Sequence, residues 1–330
     1  MIKIALIGGG NFGIRHLKNL LRIENEKKCE FIGVVENSKP QIEKIKKQFD
    51  CRVENSLEKI LDEADAFDIV TPPSTHYFLT KKCLLAGKHV LVEKPMTTEF
   101  ESSIELFNLA VENKKKLAVG HVFRYDPITF KAIDLIQTDI GSISFIEGKF
   151  VNPREPRTDV GALLNFSHWI DLCNYLLKLK PTQLNCISFK KIGNKFEDDV
   201  LLTMDYKNNV QTRLHMSWLG RKKSRYLKLD GSLLTVVLDY KNRIIETIKG
   251  EGTYFESDST KVELTPTTEP LYKEIVDFLG CINSNKQPLS DSYSGILVSY
   301  IAKKALQSIN SQKIIQCDID YNDFGGLIIN

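Results

Sequence analysis

A glycine-rich turn directly after a short apolar run is the sequence feature that most limits how this chain can fold. Ile4–Ile7 precedes the pattern G-x-G-x-x-G at Gly8, Gly10 and Gly13, and an amphipathic stretch follows it. Between a strand and a helix, these glycines allow a tight turn, close approach of a pyrophosphate and close helix–strand packing. The N–H groups at the start of the helix would then face the phosphates. We assign the cofactor-binding residues of this turn as Gly8, Gly10, Asn11, Phe12 and Gly13.

Apolar runs and amphipathic stretches alternate throughout residues 1–121. The runs predict strands at Ile2–Ile7, Phe31–Glu36, Ala66–Thr71, His89–Val92 and Leu117–Gly120. The intervening stretches predict helices at Asn11–Ile23, Gln41–Gln48, Thr75–Ala86 and Thr98–Asn113. Because each run is continuously apolar, it is typical of a parallel strand buried on both faces. We therefore expect an α/β NAD(P)-binding domain of the Rossmann type, with a doubly wound parallel sheet, over residues 1–121.

Residues 122–330 predict a second, α+β domain for substrate binding and oligomerisation. A helix is expected at Leu163–Leu179. The strands that follow are expected at Gln183–Lys190, Asp199–Tyr206, Val210–Trp218, Tyr226–Asp230, Leu233–Tyr240 and Arg243–Lys249. Hairpin turns at Lys207–Asn209 and Asp230–Gly231 make the sheet largely antiparallel, so one face needs cover by helices or a second subunit. Residues 251–268 read as a polar surface loop, and closing helices at Pro270–Asn283 and Asp291–Ser308 could pack back on the first domain.

Composition and charge exclude several classes of partner. The 45 Lys+Arg and 42 Asp+Glu residues are interspersed, so no strong field favours nucleic acid or an anionic membrane. The longest apolar runs, such as Leu233–Leu238, are far shorter than the ~18–20 residues that span a bilayer. We expect no secretory leader, because the sequence goes directly from Met1 into a strand-like run, and the 7 cysteines form no C-x-x-C pair or zinc-site spacing. We expect a cytoplasmic protein with reduced thiols and no metal.

The end of the second predicted strand bears on which dinucleotide is bound. Glu36 lies about 20 residues after the glycine turn, where a carboxylate accepts hydrogen bonds from the ribose hydroxyls and repels a 2′-phosphate. This position favours NAD over NADP. Ser38 and Lys39 follow it and could serve a phosphate, so NADP remains the alternative.

Two further strand ends carry residues that would line the ligand crevice of a parallel sheet. After the third strand comes T-P-P-S-T-H, in which His76 is more typical of a helix start than of a catalyst. The fourth strand ends in H-V-L-V-E-K-P, which places the ammonium of Lys94 at the crevice. We assign as cofactor-binding residues at these ends Thr71, Pro72, Ser74, His76, Glu93 and Lys94.

With these motifs and the mixed second domain, nearly the whole chain resembles the Gfo/Idh/MocA oxidoreductase family, the relatives of glucose–fructose oxidoreductase and inositol dehydrogenase. The block A-G-K-H-V-L-V-E-K-P at Ala86–Pro95 is the most specific part of the resemblance. It implies that Lys94 hydrogen-bonds the reacting hydroxyl beside the nicotinamide, with Pro95 often in a cis peptide. It also implies a homodimer or homotetramer. A lysine at a hydride-transfer site can stabilise developing oxyanion charge.

The stretch from Asp159 to Asp171 resembles the second catalytic motif of the family, in which a His is followed three residues later by an Asp. The resemblance implies that His168 is the general base, with Asp171 on the same helix face to orient it. Asn165 stands where the family has an Asp, and an amide can bind a sugar hydroxyl but cannot accept a proton. This leaves Lys94 and His168 as the catalytic pair, and it leaves room for an inactive member.

A third stretch, G-H-V-F-R-Y-D-P, resembles the branch of the family that acts on nucleotide sugars. It implies that His121 lies by the nicotinamide and that Arg124 and Tyr125 reach the substrate. Arg154 and Arg157 also resemble that branch, and two guanidiniums there could bind a diphosphate or a uronate carboxylate bidentately. They could equally be solvated loop charges.

The resemblance and the motifs together predict an NAD-dependent dehydrogenase that oxidises a ring hydroxyl of a UDP-linked sugar. The expected position is C3 of UDP-N-acetylglucosamine or of its uronate. Three alternatives stay open: an inositol or free-sugar dehydrogenase, a redox-neutral glycosidase that retains its NAD, and a non-catalytic dinucleotide-sensing protein, for which Asn165 is the best support.

Overall fold

Six short parallel strands form the first sheet. They are β1 (Lys3–Ile7), β2 (Glu30–Val35), β3 (Val53–Glu54), β4 (Ala66–Ile69), β5 (His89–Glu93) and β6 (Leu117–Gly120). Their order, β3-β2-β1-β4-β5-β6, is that of a doubly wound sheet, and every neighbouring pair is parallel. The predicted Rossmann architecture is confirmed. The sequence missed only the short β3 among these strands, because two residues are too few to form a recognisable apolar run.

Helices connect these strands and cover the sheet. They are α1 (Gly13–Asn25), α2 (Lys39–Gln48), α3 (Pro73–Leu85) and α4 (Phe100–Glu112). Helix α1 begins at Gly13 rather than at Asn11, because the residues before Gly13 form the glycine turn.

This computed structural model describes residues 1–191, 194–250, 257–265 and 268–318.

The chain divides into two units, and neither is one continuous segment. The first comprises Met1–Val122 and Thr268–Ser299, and the second comprises Phe123–Thr267 and Tyr300–Asn330. The first unit therefore includes α8 (Pro270–Ser284), whose buried residues join those of α1 and β1 in one core. The apolar face of α1 is thus covered by a helix from the far end of the sequence.

The second unit contains a nine-stranded sheet. Its strands are β7 (Ile143–Val151), β8 (Pro181–Phe189), β9 (Asp199–Tyr206), β10 (Val210–Ser217), β11 (Ser224–Gly231), β12 (Thr235–Asp239), β13 (Ile244–Gly250), β14 (Ser257–Glu263) and β15 (Ile315–Gln316). The order is β14-β13-β12-β11-β7-β10-β9-β8-β15. Strands β7 and β10 pair in parallel, and the other neighbours are antiparallel. The largely antiparallel sheet is confirmed.

Helices cover one face of this sheet. They are α5 (Pro127–Thr138), α6 (Ala162–Asn165) and α7 (His168–Leu177), and α9 (Ser292–Ser311) follows near the end of the chain. Trp169 of α7 packs directly over Gly148 of β7, where an added Cβ would lie 2.7 Å from the indole ring. Its indole N–H donates to the carbonyl oxygen of Tyr226, at 2.9 Å. None of the described helices is long and apolar enough to cross a bilayer.

Several predicted boundaries were wrong. The single helix at Leu163–Leu179 is two, α6 and α7, separated at Phe166 and Ser167. The surface loop predicted at residues 251–268 contains β14 instead, because an exposed edge strand can be polar and then shows no apolar signal. Residues 251–256 and 266–267 of that prediction lie outside the described ranges. Asp230 and Gly231, which were predicted to form a turn, are the last two residues of β11, so the turn begins after them.

Candidate functional site

The glycine turn has the geometry that a pyrophosphate requires. Gly8 has a φ of +101°, and a Cβ there would lie 2.4 Å from the carbonyl oxygen of Val70. A Cβ at Gly13 would lie 2.1 Å from the carbonyl oxygen of Gly8, so helix α1 can approach the turn only because this residue is glycine. By contrast, nothing lies within 4 Å of the Cβ position at Gly10. The backbone is therefore open at the residue expected to approach the phosphates.

Glu36 is held beside this turn by two backbone donors. Its Oε2 accepts from the N–H of Gly9 at 2.8 Å, and its Oε1 accepts from the N–H of Ser38 at 2.9 Å. The side chain of Gln41 donates to the carbonyl oxygen of Gly9 and closes the same corner. The carboxylate is thus fixed at the end of β2, the position from which ribose hydroxyls are recognised in this fold.

A cavity of about 780 Å³ opens next to the glycine turn. Of the predicted cofactor residues, those that line it are Gly8, Gly10, Glu36, Thr71 and Pro72. Residues that the sequence did not single out also line it, among them Asn37, Gln41, Asn55, Ser56 and Phe78. They follow β2, β3 and β4 without forming a motif, so only the topology identifies them. The cavity is large enough for the adenosine part of a dinucleotide.

His76 joins two loops at the carboxyl end of the sheet. One ring nitrogen lies 2.7 Å from the carbonyl oxygen of Pro95, and the other lies 2.9 Å from that of Thr71. Burial lowers the pKa of this histidine. As the sequence suggested, His76 lies in the first turns of its helix, whereas Ser74 is exposed there. The contact of both residues with a cofactor stays a prediction.

The Glu-Lys-Pro segment begins at Glu93, the last residue of β5, and the Lys94–Pro95 peptide bond is cis. The Oε2 of Glu93 accepts from the backbone N–H of Lys94 at 3.2 Å. Gly120 makes room for this carboxylate, since a Cβ there would lie 2.5 Å from its Oε1. His121, which follows β6, is almost completely buried. The structure thus brings Glu93, Lys94 and Gly120 to neighbouring strand ends of the same sheet.

A buried charge cluster lies behind this segment, and the sequence analysis missed it. Nδ1 of His16 is 2.7 Å from Oδ2 of Asp68, and its Nε2 is 3.4 Å from Oε1 of Glu93. Burial by itself would lower the pKa of His16, but the charge and hydrogen bond of Asp68, aided by Glu93, outweigh it and raise the pKa to about 10. A pKa raised in this direction favours the protonated imidazole at neutral pH. The available signal was Asp68, a carboxylate within a continuously buried strand.

In the second unit, the helix that carries His168 is tied down by an ion pair. His168 begins α7, and its ring packs edge-on against Phe123 with centroids 4.8 Å apart. One turn later, Asp171 accepts from Nε and Nη2 of Arg124 at 2.9 and 2.6 Å. Both members of this bidentate pair are buried, as is Tyr125. Asp171 thus binds a guanidinium that the sequence had assigned to the substrate, and Asn165 lies at the end of α6.

The two arginines of the loop after β7 each have a protein partner. Arg157 donates through Nε and Nη2 to the carboxylate of Asp159, at 2.8 and 2.5 Å. The guanidinium of Arg154 stacks on Trp218, 4.5 Å from the ring centroid, and burial, aided by the charge of Arg157, lowers its pKa. Arg154 is nevertheless exposed and Arg157 is half-buried, so the anion that they were expected to bind stays a prediction and solvated loop charges stay the alternative.

Comparisons with known proteins match both units of the chain. Residues 2–121 match the description "Oxidoreductase family, NAD-binding Rossmann fold", and residues 131–237 match the "GFO/IDH/MocA C-terminal domain". The chain belongs to the Gfo/Idh/MocA oxidoreductase family. The predicted family, its enzyme class and its NAD-binding domain are thereby confirmed.

Relatives within the Gfo/Idh/MocA family span most of the chain. UDP-N-acetylglucosamine 3-dehydrogenase of Acidithiobacillus ferrooxidans is 26% identical over 300 residues, which are 89% of this chain and 93% of that protein. A solved structure of that enzyme has a TM-score of 0.84 at 25% identity, covering 94% and 98% of the two chains. Inositol 2-dehydrogenase of Rhizobium meliloti is 24% identical over 334 residues, covering 95% and 98%.

Levoglucosan dehydrogenase, solved in complex with NADH and levoglucosan, shares the fold. Its TM-score is 0.87 at 18% identity, over 96% of this chain and 100% of that one. The named Gfo/Idh/MocA relatives are therefore dehydrogenases of sugars and polyols, and they differ in substrate.

Proposed function

We propose that this oxidoreductase uses NAD⁺ to oxidise a ring hydroxyl of a nucleotide sugar, namely the hydroxyl at C3 of UDP-N-acetylglucosamine or of its uronate. The observation that carries the proposal is the nearly full-length similarity to the 3-dehydrogenase of Acidithiobacillus ferrooxidans. The position of Glu36 supports NAD, because its fixed carboxylate would repel a 2′-phosphate.

In the proposed reaction, side chains of this protein bind the sugar hydroxyl and accept its proton. Lys94 donates a hydrogen bond to the hydroxyl oxygen and stabilises the negative charge that develops there. His168 takes the proton, and Asn165 binds a neighbouring hydroxyl. The glycine turn and Glu36 would hold NAD⁺, which would supply the acceptor for the hydride that leaves the carbinol carbon. The pairing of Arg124 with Asp171 supports this assignment, because it holds the first turn of α7 in a fixed position.

We also propose a cytoplasmic homodimer or homotetramer. The face of the nine-stranded sheet opposite the buried Leu184 and Cys186 presents Ile187 and Phe189, which are 59% and 58% exposed. Such large apolar side chains on an open sheet favour contact with a second copy. The cysteines are free thiols, and burial raises the pKa of several of them, which suits inert thiols in a reducing compartment.

A substrate panel tests the proposed function. Purified protein with NAD⁺ is offered UDP-N-acetylglucosamine, its uronate, UDP-glucose and myo-inositol, and NADH is followed by its absorbance. We expect NADH from UDP-N-acetylglucosamine or its uronate. NADH from myo-inositol alone would replace the proposal by the second candidate, which the similarity to inositol 2-dehydrogenase favours. Measurable NAD binding without NADH from any substrate would point to a retained cofactor or to a dinucleotide-sensing protein. Asn165, which stands where the family has an Asp, would then be the first residue to examine as the cause of the missing turnover.

Glu36→Gln is expected to weaken the preference for NAD. The change keeps the size of the side chain but removes the charge that repels a 2′-phosphate. The ratio of the Kd for NADP to the Kd for NAD should fall by about tenfold, as expected for loss of one charge-assisted interaction. Titration of protein fluorescence with each cofactor measures both constants. Glu30→Gln, at the exposed opposite end of β2, is the matched control. An unchanged ratio would remove Glu36 from cofactor selection.

A further inference from the structure

Arg225 is a cation on the helix-covered face of the nine-stranded sheet. It lies in β11, opposite Phe150 of β7, and on the same face as the fully buried Leu227 and Leu229. Its guanidinium carbon is 4.9 Å from the centroid of the Phe150 ring. The side chain therefore points toward the interior of the second unit.

No counter-charge accompanies this guanidinium in the part of the chain that the structure describes. Its Nε is completely shielded from solvent and has no hydrogen-bond partner. Burial, aided by repulsion from Arg243, lowers the pKa of Arg225, and Arg225 is in turn the main cause of a lowered pKa at Lys223. Arg243 itself is neutralised by Asp126. Arg225 is thus partly desolvated, and the charged groups that shift its pKa are cations rather than carboxylates.

An uncompensated cation at such a place is costly, because protein interiors normally pair their charges. Two other arginines of this unit follow the rule, since Arg124 and Arg157 each donate two hydrogen bonds to a carboxylate. A guanidinium offers a planar fork of donors that matches a carboxylate or a phosphate. The missing partner of Arg225 is therefore best supplied by a ligand with two anionic oxygens.

The position of Arg225 connects it with the residue proposed as the base. The Phe150 ring on which Arg225 stacks also lies parallel to the ring of His168, with centroids 6.5 Å apart. Phe150 further contacts Phe166, and Phe166 packs against Trp218, on which Arg154 stacks. One aromatic cluster thus carries the proposed base and two guanidiniums.

We propose that Arg225 binds the anionic group of the substrate, either the diphosphate of a nucleotide sugar or the carboxylate of a uronate. The inference rests on the proposed function for the identity of the substrate, and on the uncompensated guanidinium for the anion.

Ligand binding by matched variants tests the proposal. Arg225→Met, Arg225→Lys and the wild type are saturated with NAD and titrated calorimetrically with UDP-glucuronic acid, UDP-glucose and glucuronic acid. Loss of a charge-assisted fork predicts about 10–100-fold weaker binding of the anion in Arg225→Met, with partial recovery in Arg225→Lys. Arg213→Met is the control, because Arg213 stacks on Phe145 of the same sheet but is exposed.

Comparison of the three ligands shows whether Arg225 binds the carboxylate or the diphosphate. A carboxylate site predicts weaker binding of UDP-glucuronic acid and glucuronic acid with UDP-glucose unaffected, whereas a diphosphate site predicts weaker binding of both UDP sugars. A purely structural Arg225 would lower the melting temperature of Arg225→Met, whereas removal of an uncompensated charge should maintain or raise it.

The proposal is overturned if Arg225→Met binds all three ligands like the wild type, or if the wild type binds none of them. Failure of the proposed function is a separate result: it is the absence of NADH in the substrate panel, and it can occur with the anion site intact.

Discussion

Replacing Lys94 by methionine is expected to lower kcat by about 10²–10³-fold, the usual effect of removing one donor to a developing oxyanion. Methionine keeps the apolar stem and the length of the side chain, so the change reports on the ammonium. The segment that presents Lys94 is held by contacts that do not involve the ammonium, namely the carboxylate of Glu93 on the backbone N–H and the contact of His76 with Pro95. The Kd for NAD⁺ should therefore change far less than kcat.

Initial rates of NADH formation with the substrate found in the panel give kcat, and fluorescence titration gives the Kd for NAD⁺. Lys3→Met is the matched control, because Lys3 begins β1 in an exposed ion pair 3.9 Å from Glu30. A Lys94→Met enzyme with the kcat of the wild type would mean that this lysine has no part in catalysis.

Replacing His16 by glutamine is expected to destabilise the protein near neutral pH by about 3–5 kcal/mol, since it leaves the buried carboxylates of Asp68 and Glu93 without their cation. The folded-state pKa of about 10 exceeds the ordinary value of 6.5, so the stabilisation is complete below the unfolded pKa and is lost as the pH rises through the folded one. Between these values, the folded protein holds one more proton than the unfolded chain. The difference in unfolding free energy between the wild type and His16→Gln should therefore fall by up to about 1.4 kcal/mol for each unit by which the pH rises.

Urea unfolding of wild type and His16→Gln at several pH values between 7 and 10 measures this difference directly. His89→Gln is the control, because burial and the nearby Lys115 and Lys116 lower the pKa of His89 to about 4. His89 is therefore neutral throughout that range, and its contribution should stay constant. A difference between wild type and His16→Gln that does not fall with rising pH would show that His16 is neutral in the folded protein.

The first sheet could be predicted because its signals are local. The glycine turn, the apolar run before it and the Glu-Lys-Pro segment each occupy adjacent residues. Strand β7 was missed because its centre, Glu147-Gly148-Lys149, interrupts the apolar run. Strand β14 was missed because its exposed edge position permits a polar sequence.

The partners of the site residues could not be predicted, because they come from distant parts of the chain. The guanidinium that binds Asp171 belongs to Arg124, and the cation that neutralises Asp68 belongs to His16. The sequence can show that a residue is charged, but its pairing depends on which strands become neighbours. Arg225 was overlooked for the same reason, since only the register of β11 with β7 places it on the covered face.

The position of α8 determines when the core of the first unit can form during synthesis on the ribosome. Leu271, Ile275 and Phe278 belong to the same core as Leu17 and Leu20 of α1, although Phe123–Thr267 of the second unit is synthesised between them. At ordinary translation rates of about 5–20 residues per second, the apolar side of α1 stays uncovered by α8 for roughly 10–50 s. A chain ended after Val122 would keep that surface exposed. Expression of the cofactor-binding unit by itself therefore calls for α8 to be joined to it by a new linker.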